Sequence, residues 1–187
     1  MIKTKTDLKD YICADCKANI GTDKINIIKY IAGIFYKQEN ILAYRYLKTL
    51  RKREYYLNNK SFFHNFFQLY YRIKLNRLGF YYGIQIHPNI VGKGLTIRHL
   101  HGGIIINCKS MGENCRINGG VVVGNKDSQA NIAVIGNNVR LSIGCKIIGK
   151  IVVGDNAIVA PNSVVIKDVP SGAVVSGVPA IIIKNNE

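Results

Sequence analysis

The chain has 187 residues, of which 48% are hydrophobic and 20% are charged, a composition that is typical of a globular protein and excludes a disordered one. No run of 18 apolar residues occurs, which argues against a transmembrane helix, and the charged first ten residues lack the apolar segment of a signal peptide. We therefore expect a cytoplasmic protein with five free cysteine thiols. The formal net charge of +15 predicts an attraction to polyanions.

Residues 1–83 are predicted to be helical. They contain all six phenylalanines and no proline, and their 16 basic side chains outnumber the 6 acidic ones. The stretch Ile25–Tyr36 is apolar enough for a buried helix, and Ser61–Leu78 reads as a helix with Ser61 as N-cap and Gly79 as C-cap. Between them Ile41–Tyr56 puts five side chains on one helical face: Ile41, Tyr44, Leu47, Leu50 and Glu54. We expect three or four helices in all.

Aromatic and basic residues alternate near the end of this half. The segment Phe62–Tyr71 with Arg72, Lys74 and Arg77 permits two interpretations. It is either a helix packed on the rest of the protein or a neighbouring copy, or an amphipathic helix on an anionic membrane surface, which for a cytoplasmic protein would be the inner one. The basic run Arg51–Arg53 is interpreted as a solvated face.

Residues 84–187 show a six-residue repeat. They contain 14 of the 18 glycines and all four prolines. Counting in sixes, ten of eleven positions are aliphatic or Met: Ile105, Met111, Ile117, Val123, Gln129 (the exception), Ile135, Leu141, Ile147, Val153, Val159 and Val165. Four places later, small or β-branched residues recur. This period predicts coils of three short strands that form a triangular prism with an aliphatic interior, since neither a helix nor a simple strand has it. A β-sandwich with chance spacing is the alternative.

The repeat is interrupted twice. Val91 and Ile97 keep the six-residue step but in a shifted phase, and the shift occurs over residues 98–103, which include Arg98, His99 and His101. A break in a regular solenoid is where a functional feature is expected. The second break, residues 125–134, is polar and is predicted to be a loop that leaves the prism.

The run IGNNVR-LSIGCK-IIGKIV-VGDNAI-VAPNSV, followed by SGAVVSGVPA, resembles the left-handed parallel β-helix acyltransferases. The order of a helical segment, IHPN, GKGLTIRH and the repeats resembles the serine acetyltransferase branch, which includes O-acetyltransferases of surface polysaccharides. The resemblance covers about residues 40–184. We therefore predict a mainly β protein, with an α-helical N-terminal segment over 1–83 and a left-handed β-helix domain over 84–187.

The resemblance implies a homotrimer with active sites between neighbouring prisms, acetyl-CoA as donor, and a hydroxyl acceptor. It implies that His99 is the general base, because a neutral imidazole can take the proton of a hydroxyl that attacks a thioester. His101 is a second candidate. Gln85 stands where the family has an Asp that orients the histidine, and Arg98 stands where the family has an Asp that binds the serine amine. A cation at Arg98 disfavours an ammonium group.

For the donor, the resemblance implies contacts along the pantetheine arm and near the adenine and 3′-phosphate. The residues concerned are Gly124, Asn125, Ile143, Gly144, Lys167, Pro179 and Ala180, with Val178 in the last block. Lys146 and Lys150 are additional phosphate partners. No metal is expected, because Cys13-x-x-Cys16 has no second pair to complete a zinc site.

We therefore predict an acetyl-CoA-dependent O-acetyltransferase whose acceptor is a sugar of a surface polysaccharide or its precursor. Serine O-acetylation is the alternative, and N-acylation of a nucleotide-linked amino sugar stays open. A zinc lyase would need three histidines on separate coils, yet no His follows His101. A non-catalytic scaffold is a further option. His87 is interpreted as structural beside Pro88, and His64 as an edge residue. No nucleic-acid-binding motif is present.

Overall fold

Four helices precede a stack of short strands. The computed structural model describes residues 1–59, 62–125, 127–128 and 130–185. The helices are α1 (Lys5–Ile20), α2 (Ile27–Phe35), α3 (Glu39–Asn58) and α4 (Phe62–Tyr82). The strands are β1 (Ile84–Ile86), β2 (Thr96–Arg98), β3 (Ile104–Ile106), β4 (Ser110–Met111), β5 (Arg116–Asn118), β6 (Val122–Gly124), β7 (Val134–Ile135), β8 (Arg140–Leu141), β9 (Lys146–Ile148), β10 (Val152–Val153), β11 (Ile158–Val159), β12 (Val164–Val165), β13 (Ala173–Gly177) and β14 (Ala180–Asn185).

The strands form three sheets, which are the faces of a prism. Face A contains β1, β3, β6, β9 and β12; face B contains β4, β7 and β10; face C contains β2, β5, β8, β11 and β13, with β14 at its end. Neighbouring strands are parallel, except that β14 turns back antiparallel on β13. The result is a left-handed β-helix of about four turns, which confirms the predicted fold class.

The interior consists of three ladders of buried aliphatic side chains, as the repeat predicts. Face A stacks Ile86, Ile106, Val123, Ile147 and Val165; face B stacks Val91, Met111, Ile135, Val153 and Val169; face C stacks Ile97, Ile117, Leu141, Val159 and Val175. Each ladder removes five branched or thioether side chains from water, and this burial is the main stabilising term of the prism.

The prediction for Ile105 was wrong. Its side chain is 43% exposed, while Ile104 and Ile106 on either side are fully buried. Only five residues separate Ile106 from Met111, so a six-residue count back from Met111 reaches the outward-facing neighbour. Position 129 lies outside the described residues. The other nine predicted positions are buried.

Two corners of the prism are lined by residues with left-handed backbone. Between faces B and C these are Gly94, Asn114, Asn138, Asn156 and Gly172, and between faces C and A they are His99, Gly103, Gly120, Gly144 and Asn162. Glycine and asparagine tolerate a positive φ better than other residues, which explains why they recur at these corners.

The helices close the open end of the prism. The Asn19 side chain of α1 donates to Leu95 O and accepts from Ile97 N, which satisfies the free edge of β2. The Tyr46 hydroxyl of α3 accepts from Ile86 N at the edge of β1 (3.2 Å). An uncovered edge strand would expose backbone groups to pairing with other chains, so these side chains act as a cap. The hydrophobic core is continuous from α3 and α4 into the coils.

Three predictions about the helices need correction. The helix over 25–36 is present as α2 but is not buried, since Ile28 is 74% and Phe35 79% exposed. Helix α4 does not end at Gly79 but continues to Tyr82. Position 79 requires glycine for a different reason, because a Cβ there would lie 2.6 Å from Ile84 O. Arg51 is not on a solvated face but is fully buried. The proposed N-cap at position 61 lies outside the described residues.

The middle helix is confirmed as α3, and all five predicted facing side chains are buried. Helix α1 was not assigned to any sequence segment, although a fourth helix was allowed for. It begins with a capping box in which Thr4 and Asp7 bond each other's backbone N–H. No helix of the described residues is long and apolar enough to span a membrane.

Thiol reactivity tests how the cysteines are packed. Burial raises the pKa of Cys108 and Cys145 to about 12 and that of Cys115 to about 11, and it also raises the pKa of Cys16. Because the thiolate is the reactive form, we expect Ellman's reagent to titrate one thiol per chain in the native protein, the half-buried Cys13, and five in denaturant. Rapid reaction of two or more native thiols would contradict this packing.

Candidate active site

His99 lies exposed at the interrupted corner between faces C and A. Strand β2 ends at Arg98, His99 follows with φ of +59°, and a short 3₁₀ helix covers Leu100–Gly102. The Leu100 side chain is buried, and its backbone N–H donates to Glu39 Oε1 at the start of α3 (2.8 Å). The insertion is therefore anchored at Leu100, directly after the exposed His99.

In the coil that follows, the glycine pair Gly119–Gly120 lies next to the backbone of the His99 segment. A Cβ on Gly119 would collide with the His99 carbonyl oxygen, and one on Gly102 would lie 2.6 Å from Gly120 N. The N–H of Gly120 donates to Gly103 O (2.6 Å). A non-glycine residue at position 119 would push His99 out of place, so the glycine pair Gly119–Gly120 sets the position of the imidazole.

The predicted partners of His99 lie around the same corner. His101 is exposed in the 3₁₀ helix, and Arg98 is half-buried on the outer side of face C. No hydrogen bond within the described residues joins either of them to the His99 side chain. The roles predicted for His101 and Arg98 stay predictions.

Gln85 lies on the neighbouring strand of face A. It pairs with Ile105, its side chain faces outward, and it lines a cavity of about 580 Å³ with Arg53, Arg72 and His87. Among the described residues its side chain forms no hydrogen bond to a histidine. The role predicted for Gln85, to orient His99, therefore stays a prediction.

The predicted donor-binding residues lie along the two edges of face A. Ile143, Gly144, Pro179 and Ala180 follow the edge shared with face C, below His99. Gly124, Asn125 and Lys167 follow the opposite edge, at the ends of β6 and β12. One acetyl-CoA molecule would have to cross face A to contact both sets in one chain, whereas between two prisms each edge can come from a different chain.

Three lysines lie near these edges. The Lys146 ammonium donates to Gly120 O at the glycine corner, and Lys150 and Lys167 are exposed. Sequence reasoning missed Glu39, which anchors the His99 insertion, because an acidic first helical residue is ordinary at a helix N-terminus. No group of three or more His, Cys, Asp or Glu within the described residues could hold a metal ion.

Comparison with known proteins agrees with this architecture. Residues 132–167 match the family model described as bacterial transferase hexapeptide (six repeats). Over this range the chain carries hexapeptide repeats like those of the bacterial transferases that the model describes. This hexapeptide-repeat protein is 37% identical over 110 residues to serine acetyltransferase from Staphylococcus aureus strain Mu50, covering 57% of this chain and 52% of that protein. The serine acetyltransferase of Synechococcus elongatus is 36% identical over 104 residues, covering 54% of this chain and 43% of that protein.

The hexapeptide-repeat protein therefore spans about half the length of the curated relatives it matches. Among solved structures, Neisseria gonorrhoeae serine acetyltransferase in complex with serine gives a TM-score of 0.66 at 27% identity, covering 96% of this chain and 70% of that one. Serine acetyltransferase of Brucella abortus in complex with coenzyme A gives 0.74 at 23% identity, with 98% and 70% coverage, which supports the fold.

Proposed function

We propose that this protein is an acetyl-CoA-dependent O-acetyltransferase. The observation that carries the proposal is the exposed His99, held with left-handed backbone at the one corner where an insertion breaks the first coil of the prism. The relatives that share the prism are named serine acetyltransferases, and one of the solved structures contains coenzyme A.

The chemistry needs one base and no covalent enzyme intermediate. The neutral His99 imidazole takes the proton of the acceptor hydroxyl as its oxygen attacks the thioester carbonyl carbon. The tetrahedral intermediate then expels the coenzyme A thiolate, which takes up this proton from the imidazolium. The products are an acetyl ester and free coenzyme A, so every atom and proton is accounted for.

The developing oxyanion needs a donor near the corner. The N–H groups of Gly120 and Gly144 already donate to Gly103 O and Gly119 O. The N–H of Ile143 has no acceptor among the described residues, so it is the group we assign to this role. A backbone donor that is fixed in advance stabilises the oxyanion without reorganisation.

L-Serine is the first acceptor to consider, because the curated relatives are named for it. A sugar hydroxyl of a polysaccharide is the second, and the observation that favours it is Arg98 beside His99. A guanidinium there repels the serine ammonium group but not a neutral or acidic sugar. For a lipid-linked sugar, the exposed aromatic side chains of α4 with Lys74 and Arg77 would offer a surface suited to an anionic bilayer.

A homotrimer completes the proposed site. Ile105, Ile143 and Ile166 are each 43–53% exposed along face A and its edge, where branched aliphatic side chains gain from being covered. A neighbouring prism packed there would bring its own edge next to His99. The two edges that carry the predicted donor contacts would then line one cleft.

A thiol-release assay tests the proposal. Purified protein with acetyl-CoA should release coenzyme A only when an acceptor is added, and L-serine, a neutral sugar and an acidic sugar should be compared at equal concentration. Release with serine alone would select serine O-acetylation and overturn the inference from Arg98. No acceptor-dependent release would favour a scaffold, and stoichiometric zinc in the protein would favour the lyase.

A further inference from the structure

Three arginines lie on the outer side of face C, on its first three strands. Arg98 ends β2, Arg116 begins β5 and Arg140 begins β8. Arg116 and Arg140 are exposed and Arg98 is half-buried. We call these three residues the arginine patch.

The strand register brings the patch together. Arg116 pairs directly with Arg140, so their Cα atoms are separated by one strand spacing of about 4.8 Å. Arg98 pairs with Asn118, which is two residues beyond Arg116 on the same side of the strand. The three side chains thus leave the same face of the sheet: Arg116 and Arg140 lie directly side by side, and Arg98 lies on the next strand, two residues further along.

The patch has no internal counterion. None of the ion pairs within the described residues includes these arginines, and their guanidinium groups form no hydrogen bond to another described residue. Like charges placed directly opposite each other on a sheet are unfavourable. An anion bound between Arg116 and Arg140 would remove this repulsion, and the planar guanidinium suits a carboxylate or phosphate in a bidentate contact.

The patch also leads to the candidate base. Arg98 directly precedes His99, and Gly119, three residues after Arg116, lies directly against the His99 carbonyl. Three residues of extended strand span about 10 Å. An anionic group on Arg116 and Arg140 would therefore be separated by about this distance from a hydroxyl at His99.

We infer that the arginine patch binds the carboxylate or phosphate of an acidic acceptor whose hydroxyl is acetylated at His99. The inference rests on the proposed O-acetyltransferase function. It requires an acceptor in which the anionic group and the hydroxyl are farther apart than they are in serine. In free serine the carboxylate and the hydroxyl are too close together to reach Arg116 and His99 at once. An acidic disaccharide or a disaccharide phosphate has the required length and charge.

The double variant Arg116→Gln/Arg140→Gln tests the inference, with Lys109→Gln as the control because Lys109 is an exposed cation outside face C. The acceptors are a glucuronic acid-containing disaccharide, the same disaccharide with its carboxyl reduced to an alcohol, maltose 1-phosphate and L-serine. We expect KM for the acidic acceptor to rise about 10-fold or more in the double variant, with kcat and the neutral acceptor nearly unchanged. The disaccharide and the sugar phosphate distinguish a carboxylate from a phosphate ligand.

Titration calorimetry of the acidic disaccharide without acetyl-CoA gives a second readout, since binding should weaken by a similar factor. Equal KM and equal binding in the double variant and wild type would overturn the inference, while coenzyme A release with the neutral sugar or serine would leave the proposed function intact. If the wild type releases no coenzyme A with any acceptor, the proposed function fails, and absence of acidic-disaccharide binding would then remove the patch as a ligand site too.

Discussion

Replacing His99 with alanine should lower kcat for acetyl transfer by about 100-fold or more, because the acceptor hydroxyl loses the group that takes its proton. The KM for acetyl-CoA should change little, since the predicted donor contacts lie on other coils. The fold should be unaffected, because the side chain is exposed and forms no hydrogen bond within the described residues. Steady-state kinetics and a thermal unfolding curve on the same preparation measure both effects.

A matched control is His87→Ala, which removes another exposed histidine of the first coil away from the interrupted corner. Its kcat should stay within about twofold of the wild type. His101→Ala separates the two neighbouring candidates. Full activity of His99→Ala together with a large loss in His101→Ala would contradict the assignment and move the base two residues along the chain.

The prism could be predicted in detail because its inward-facing residues recur at a fixed interval along the sequence. Each face contributes one inward side chain per strand, so the same chemical requirement recurs at a fixed interval, at Ile135, Leu141 and Ile147 for example. The prediction failed at Ile105, where the coil is one residue shorter between two faces. A periodic count cannot locate an insertion, here between Ile97 and Ile106, that is followed by a deletion of a different length, here between Ile106 and Met111.

The helical half was less predictable because its contacts are long-range. Arg51 is part of a run of three basic residues, which in isolation indicates a solvated face. Its burial follows from Asp15, 36 residues earlier, and from the carbonyl groups of Val91 and Gly92, 40 and 41 residues later. Helix α2 was expected to be buried from its apolar composition, yet composition does not reveal whether a partner surface exists in the same chain.

At the candidate site, the segment could be located but not its partners. The break in the repeat pointed to residues 98–103, and the structure places an exposed histidine there. The roles of Gln85 and the donor residues depend on what faces the two edges of face A, which one chain does not contain. Arg116 pairs with Arg140 through a 24-residue coil, whereas the next coil, from Arg140 to Ile158, has 18 residues. The six-residue count keeps the two arginines in phase, but it would pair Arg116 with Val134 if every coil had 18 residues.

Replacing Arg51 with methionine should lower the free energy of unfolding by about 3–5 kcal/mol, as is typical when one partner of a buried ion pair is removed. Its guanidinium donates to Asp15 (2.8 Å), Glu54 (3.2 Å) and the carbonyls of Val91 and Gly92. Burial opposes the charge on Arg51, but the two carboxylates outweigh it and raise the pKa of the guanidinium. Without the cation, two carboxylates would be left buried.

The buried cluster of Asp15, Arg51 and Glu54 connects the helices to the first coil of the prism, so its loss should affect more than one contact. Asp15 also accepts from the N–H groups of Gly94 and Leu95, and Glu54 accepts from Asn89 N. An apolar replacement of all three side chains would leave these backbone donors without acceptors, so it should not restore stability. Chemical denaturation of Arg51→Met against Lys52→Met measures the difference, since the contact that Lys52 makes within the described part of the chain is with the Tyr71 ring. A loss below about 1 kcal/mol for Arg51→Met would show that the helices stay attached through their apolar contacts alone.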